Sequence, residues 1–424
     1  MIFVAISMIV LLLIGVDVAF AMAITTTVFI FMLGGGLNPV VIAQRIVSGS
    51  NTFILLAVPF FILAGELMNT GGVTKRLVKF AEAIVGSVVG GLSYVVVIVN
   101  MIMAGVSGAA IADAAAVGSV MIPSMTQKGY SKGFAAALNA AAATIGPVIP
   151  PSVGFLIYAS LADTNVGEMF LAGAVPGFVM GVYMLAVCFL VSKSRHLPRG
   201  EKTSPIKIVT AVKDSVWALL MPIIIVGGIV GGIVTPTEAG VIAVIYGFFI
   251  TLVVYRELKL RDIPRVLVKA GRHSAVIIFV MACAQTFGWI LTREGVTDVL
   301  ISTFRTIAST PWQFLLLFNA LILLLGCVME GGTIMIILTP LMMPILRIYG
   351  INIVQFGVIF QLNIMIGLLT PPIGMLLFVI TGISGVKMAE MLKELIPFYV
   401  VLVIILLMIT FIPQISLWLP GLLL

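Results

Sequence analysis

Two stretches decide the fold: Thr144-Ile145-Gly146-Pro147-Val148-Ile149-Pro150-Pro151-Ser152 and, 221 residues later, Gly367-Leu368-Leu369-Thr370-Pro371-Pro372. Each is a Gly-x-x-x-Pro-Pro break inside an otherwise apolar run. Proline lacks an N–H and displaces the carbonyl four residues earlier from its helical hydrogen bond. For Pro150 and Pro371 the displaced carbonyls belong to Gly146 and Gly367. Non-helical backbone at membrane depth is tolerated only where protein, a cavity or a ligand satisfies it.

The chain around these breaks is membrane-like. Of 424 residues, 61% are hydrophobic and 9% are charged. Soluble domains carry roughly 25% charged residues, so a soluble fold, disorder and nucleic-acid binding are excluded. Cys188, Cys283 and Cys327 all lie in apolar runs and imply no disulfide framework. The two histidines, His196 and His273, are too few for a histidine-based metal site. Met1–Ile14 has no basic leading segment and reads as a retained span.

Apolar segments fall at 2–15, 18–36, 51–70, 88–104, 107–126, 133–162, 169–192, 213–234, 237–255, 273–292, 312–329, 331–349, 354–386 and 394–423. Runs 88–126 and 312–349 read as hairpins of short helices meeting at glycines, and 133–162 and 354–386 as broken helices. Short or interrupted segments in matching positions of two halves point to a transporter binding site. The expected fold is an all-α polytopic membrane protein with two re-entrant hairpins and two broken helices. The expected organisation is scaffold helices in 1–50, a first repeat in 51–192, basic loops and a scaffold hairpin in 193–272, and a second repeat in 273–424.

The repeat is visible residue by residue. Gly105, Pro123, Gly129, Gly146, Pro150 and Pro151 recur 221 positions later as Gly326, Pro344, Gly350, Gly367, Pro371 and Pro372. Upstream, Gly72-Val73-Thr74 matches Gly295-Val296-Thr297 at 223. Basic residues orient the halves. Lys193, Arg195, Arg199, Lys202, Lys207 and Lys213 form one basic loop; Arg256, Lys259, Arg261, Arg265, Lys269 and Arg272 form another. Placing both in the cytoplasm, with Lys75, Arg76, Lys79, Lys128, Lys132, Lys387 and Lys393, puts 19 of 23 basic residues inside. Arg45, Arg293, Arg305 and Arg347 remain outside. Span 51–70 then runs inward and its partner 273–292 outward, so the repeats are inverted.

The tips read Gly105-Val106-Ser107-Gly108-Ala109 and Gly326-Cys327-Val328-Met329-Glu330-Gly331-Gly332-Thr333. A break beside its tip offers oxygen ligands for a hard cation such as Na⁺, with the Ser107 hydroxyl in one half and the Thr370 hydroxyl in the other. Helices restarting after each interruption aim their positive ends at one centre and favour an anion. A carboxylate substrate fits there, with Ser107, Ser152, Thr333 and Asn363 as the nearest polar side chains. Asp113 and Glu330 flank the tips and either hold a cation, carry a proton, pair with a base or face a water-filled vestibule. Asp17 and Glu66 read as scaffold residues or contacts to another subunit, and Arg293-Glu294 as a local ion pair.

These residues identify a resemblance. The breaks at 144–152 and 367–374, Thr235-Pro236-Thr237-Glu238-Ala239, and Glu330 in the second tip resemble the large membrane subunit, of DctM type, of tripartite ATP-independent periplasmic (TRAP) transporters. Order and spacing match from about residue 50 to 390. The resemblance implies a Na⁺-driven importer in the bacterial inner membrane, taking C4-dicarboxylates or sialic acids by an elevator motion. It implies two partners: a periplasmic binding protein and a small four-helix membrane subunit, here expected as a separate chain. It maps two Na⁺ sites onto Ser107, Gly146, Val148 and Pro150, and onto Gly326, Gly367 and Thr370. The Thr235–Ala239 motif reads as a structural helix start. No cofactor beyond the coupling ion is expected.

Other classes fit less well. An intramembrane serine protease at Ser107 needs a base within reach, and both histidines fall at the cytoplasmic side. No phosphate-binding Gly-x-x-x-x-Gly-Lys-Ser/Thr loop supports ATP drive. A passive channel needs a polar stripe that no span shows. A stand-alone Na⁺-coupled carboxylate carrier remains the alternative.

Overall fold

The computed structural model describes residues 2–32, 38–200, 204–327 and 329–424. Val328 of the second tip, positions 33–36 of the expected span 18–36, and Lys202 lie outside the described residues. Among the described residues the chain is helical, with one isolated β-bridge between Val89 and Arg199.

Three helices come first: α1 (Ile2–Leu13), α2 (Val18–Met32) and α3 (Val40–Ser50). Asp17 starts α2, its Oδ1 accepting the Ala19 N–H at 3.0 Å. The first half then comprises α4 (Ala57–Thr70), α5 (Val73–Val85), α6 (Gly91–Ser107), α7 (Ala110–Gln127), α8 (Lys132–Ala143), α9 (Val153–Ala162) and α10 (Val166–Ser194). Next, α11 (Pro205–Val230) and α12 (Pro236–Phe248) precede a π-helical turn over Phe249–Val254. The second half comprises α13 (Ile263–Arg293), α14 (Val296–Ile307), α15 (Pro311–Gly326), α16 (Gly331–Tyr349), α17 (Ile353–Gly367), α18 (Met375–Ser384) and α19 (Met388–Phe411), and α20 (Gln414–Leu423) closes the chain. Each helix from α5 to α10 begins 220–223 residues before its counterpart from α14 to α19.

Several elements differ from expectation. Helices α3, α5 and α14 were not expected, because each mixes polar and apolar residues and escapes a search for continuous apolar runs. In α5 the pattern is amphipathic: Val73, Leu77, Val78 and Ala81 are buried, whereas Lys75 is exposed. Gly72 and Gly295 hold the same left-handed conformation (φ 74° and 70°) at the starts of α5 and α14, where a side chain would be strained. The run 394–423 is two helices, parted at Ile412-Pro413. Among the described residues, seven helices are long and apolar enough to cross a membrane, or eight if α14 and α15, bent by 113°, count as one span.

Helices α8 and α17 lie at the centre. Every residue from Gly133 to Ala143, and from Val354 to Gly367, is buried. Seven alanines among those α8 positions permit close approach of neighbouring helices. Ring packing of Phe318 with Phe356 and Phe360 (centroids 4.5 and 5.1 Å) fastens α15 to α17. The first break is therefore enclosed by protein, whereas in the second Pro371, Pro372 and Ile373 are exposed.

Ion pairs join the segments that the basic-residue count assigns to one side: Lys128–Glu82 at 2.8 Å, Arg195–Glu394 at 2.7 Å, Lys269–Glu66 at 2.8 Å, and Arg76–Glu257. Arg293 corrects an expectation. It lies over the Trp289 ring, 5.8 Å from its centroid, and makes no ion pair with Glu294 among the described residues. Adjacent helical residues point in different directions, so they seldom pair. At the start of α12, Thr235 and Glu238 form the reciprocal cap that a structural role requires, with the Glu238 carboxylate accepting the Thr235 N–H at 2.7 Å.

Candidate functional site

The interruption between α6 and α7 is made by Gly108 and Ala109, with Ser107 the last residue of α6. Gly108 adopts φ 59° and ends α6, and its missing side chain lets the tip meet the first break. A Cβ there would sit 2.6 Å from the Pro151 carbonyl oxygen. On its other side the tip meets α4, where a Cβ on Gly65 would approach the Ser107 Cα to 3.2 Å.

Asp113, in the first turn of α7, completes this corner. The Ser107 hydroxyl donates to Asp113 Oδ1 at 2.5 Å. Asp113 Oδ2 is buried and has no hydrogen-bond partner among the described residues. It faces Gly146, whose added Cβ would stand 2.7 Å from Oδ2. The Gly146 carbonyl has no donor among the described residues, as expected of a carbonyl released by Pro150. A carboxylate and a hydroxyl thus lie beside Gly146, a residue with an unclaimed carbonyl, and hard cations take oxygen ligands of these kinds. The sequence reading named Asp113 but left its role open. The signal was an acid on the fourth residue of a restarted helix; its approach to Gly146 depends on packing between residues 33 positions apart.

Val148 and Pro150 occupy the same break. The Val148 N–H donates to the Ile145 carbonyl at 3.0 Å, and the Val148 carbonyl packs against Gly173 of α10. The Pro150 carbonyl faces Gly105 in the tip, 3.8 Å from where its Cβ would be.

The second corner is built differently. Gly326, at the end of α15, and Gly367, at the end of α17, touch backbone to backbone: a Cβ on Gly326 would lie 2.9 Å from Gly367 Cα. The Cys327 carbonyl accepts the Ile373 N–H at 3.0 Å, joining tip to break. Thr370 donates its hydroxyl to the Ile366 carbonyl at 2.8 Å. The Gly367 carbonyl is not fully free as expected; it accepts the Thr370 N–H at 2.9 Å, because the chain tightens into a turn after leaving α17. Tyr399 of α19 donates to the Leu369 carbonyl and supports the break from behind. An apolar cavity of about 400 Å³, lined by Cys327, Ile366, Thr370, Pro371 and Tyr399 among others, lies beside this corner. The Pro150–Pro151 and Pro371–Pro372 bonds are both cis.

The polar residues expected near an anion divide. Ser152 is the N-cap of α9: its hydroxyl donates to the Pro147 carbonyl at 2.6 Å and accepts the Phe155 N–H at 3.3 Å. Glu330 caps α16, its carboxylate accepting the N–H groups of Gly332 at 3.0 Å and Thr333 at 2.9 Å. That carboxylate places negative charge at the positive end of α16. Asn363 faces α15, donating to Asn319 Oδ1 at 2.8 Å, while Asn319 donates to Thr410 of α19 at 3.0 Å. Its neighbours on α17 point elsewhere: Ile364 meets Gly331, and Gln361 meets Gly154 at the start of α9. Gln361 was not singled out from sequence; a polar residue inside an apolar broken helix was the available signal.

The comparisons agree with one another. A family model described as the DctM component of the tripartite ATP-independent periplasmic transporter matches residues 5–415. The chain is 37% identical over 380 residues to the C4-dicarboxylate TRAP transporter large permease protein DctM of Pseudomonas aeruginosa, covering 90% of this chain and 89% of that one. It is also 37% identical over 416 residues to the sialic acid TRAP transporter large permease protein SiaM of Vibrio cholerae, covering 97% and 96%. Among solved structures, Neisseria gonorrhoeae MtrF, described as illuminating a class of antimetabolite efflux pumps, aligns with a TM-score of 0.55 at 13% identity over 87% of this chain and 83% of that one. At that identity the likeness is one of fold.

Proposed function

Because the chain belongs to the DctM component family of tripartite ATP-independent periplasmic transporters, we propose that it imports an organic acid across the bacterial inner membrane by coupling its movement to Na⁺. The acid is of C4-dicarboxylate or sialic acid type, the classes named for its relatives. A periplasmic binding protein delivers it, and a small membrane subunit braces the transporting one.

The observation that carries the Na⁺ reading is the corner formed by Ser107, Asp113 and Gly146. Asp113 Oδ2 is orphaned and lies against Gly146, whose own carbonyl is unclaimed. A buried, unpaired polar atom costs free energy, and a cation there removes that cost. Gly326, Gly367 and Thr370 form the second ion position, where Na⁺ is held by carbonyls and a hydroxyl. Na⁺ as cargo at these corners draws each tip onto its break and assembles the space between them for the acid. A loaded centre carries less net charge than the acid alone, which lowers the electrostatic cost of moving it through the bilayer.

The halves work as inverted repeats, with the hairpins α6–α7 and α15–α16 entering from opposite sides. Exchanging the conformations of the two halves gives inward-facing and outward-facing states, and an elevator motion of hairpins and broken helices against the scaffold connects them. Each Na⁺ entering down a tenfold gradient brings about 1.4 kcal/mol, and a 100 mV potential adds about 2.3 kcal/mol per charge. No chemical step is required of any residue, so the chain acts as a carrier and not as an enzyme.

The test is uptake into proteoliposomes containing the chain and its small subunit, with the Na⁺ gradient and the loaded binding protein omitted in turn. Uptake that needs both supports the reading. Uptake without the binding protein assigns the chain to the stand-alone carriers, and downhill flux without Na⁺ assigns it to the channels.

A further inference from the structure

We propose that Gln361, together with the N–H groups of Val153 and Gly154, anchors the carboxylate of the transported acid. This assignment rests on the carrier reading above and gives it a defined contact.

Four helices restart after the interruptions: α7, α9, α16 and α18. Two carry a carboxylate at their positive end. Asp113 lies in the first turn of α7, and Glu330 caps α16. At α18 the residue before the first turn, Gly374, is left-handed, and the preceding Ile373 N–H is taken by the Cys327 carbonyl. Helix α9 differs. It has ten residues and no acid in its first turn. Ser152 caps the Phe155 N–H, but the N–H groups of Val153 and Gly154 have no acceptor among the described residues. Two donors at an uncompensated helix start favour an anion.

A second observation, from the other half of the chain, points to the same place. Gln361 of α17 is 3% exposed and makes no side-chain hydrogen bond among the described residues. Its amide lies against the start of α9: a Cβ on Gly154 would be 2.5 Å from Oε1 and 2.8 Å from Nε2. With no protein partner, the Nε2 donor is available to a ligand that accepts from it. The packing fixes this position. Tyr158, one turn along α9, donates to the Ile353 carbonyl at 2.7 Å and rests on Gly357, one turn back along α17. Glycine at 154 leaves the room that the amide occupies.

A carboxylate takes the two N–H groups and the Nε2 donor together. The contact joins a helix of the first half to one of the second, so the acid itself ties the halves. Because all three donors are neutral, the acid is held without a fixed positive side chain that would have to cross the membrane with it.

The experiment measures equilibrium binding of radiolabelled succinate and N-acetylneuraminate to the purified chain with its small subunit, and of radiolabelled Na⁺ in parallel. Wild type, Gln361→Ala and Gln361→Glu are compared after size-exclusion chromatography. Both variants are expected to bind the acid at least tenfold more weakly, as expected from losing a hydrogen bond to a charged group, while Na⁺ binding stays at the wild-type level. The isosteric Gln361→Glu variant opposes carboxylate to carboxylate and is expected to be the weaker. Wild-type acid affinity in both variants overturns the assignment, as does a parallel loss of acid and Na⁺ binding, which marks a structural role. A wild-type protein that binds neither acid overturns the carboxylate reading itself and this assignment with it.

Discussion

Replacing Gly367 by alanine is expected to raise the Na⁺ concentration needed for half-maximal uptake by about 5- to 100-fold. The added Cβ would lie 2.8 Å from Gly326 Cα, 3.1 Å from its carbonyl carbon and 3.3 Å from its oxygen. Carbon atoms in good contact stand about 3.5–4.0 Å apart, so the ends of α15 and α17 must part by up to about 1 Å. All three clashing atoms are backbone, and no rotamer change relieves them. Overpacking of this kind costs about 1–3 kcal/mol, which at about 1.4 kcal/mol per factor of ten gives the stated range. The penalty falls on the state in which the second tip closes on the second break, the state proposed to hold the ion. The assay is the Na⁺ dependence of labelled-acid uptake in proteoliposomes, normalised to monodisperse protein. Gly382→Ala on α18, where an added Cβ meets nothing within 4 Å, is the control. Unchanged Na⁺ dependence in Gly367→Ala, or an equal shift in Gly382→Ala, would refute the reasoning.

Three further outcomes are expected. Asp113→Asn retains an acceptor for Ser107 but removes the charge, and is expected to weaken Na⁺ dependence at least tenfold; Ser107→Ala shifts it in the same direction by less, both read from Na⁺ titrations of uptake. Single cysteines replacing Lys128 and Arg347, in a background without Cys188, Cys283 and Cys327, are expected to react with an impermeant maleimide from opposite faces of the membrane; labelling from one face contradicts the inverted repeat. Thr235→Ala removes one side of the cap on α12 and is expected to lower stability by about 1 kcal/mol with no change in Na⁺ dependence, as read from thermal unfolding and uptake.

The breaks and tips were legible because glycine and proline act on the backbone directly. Gly146, Pro150, Gly367 and Pro371 interrupt helices wherever they are packed, and their recurrence at one offset locates both halves. The cap at Thr235 was legible for the same local reason. What escaped was decided by neighbours distant in sequence. Asp113 meets Gly146 only because α7 folds back along α8, and Gln361 reaches Gly154 only because α17 crosses to the opposite half. Helices α5 and α14 escaped because an amphipathic helix at a bundle's edge lacks a continuous apolar run. Arg293 was misread because its partner is an indole face one turn earlier, not the adjacent acid.

The most direct test of the account is simultaneous measurement of Na⁺ and acid flux into the same proteoliposomes. The account predicts that every acid molecule enters with Na⁺, in a fixed ratio that holds when either gradient is varied, and that Asp113→Asn disturbs that ratio. Acid entry at full rate with no accompanying Na⁺ would contradict it.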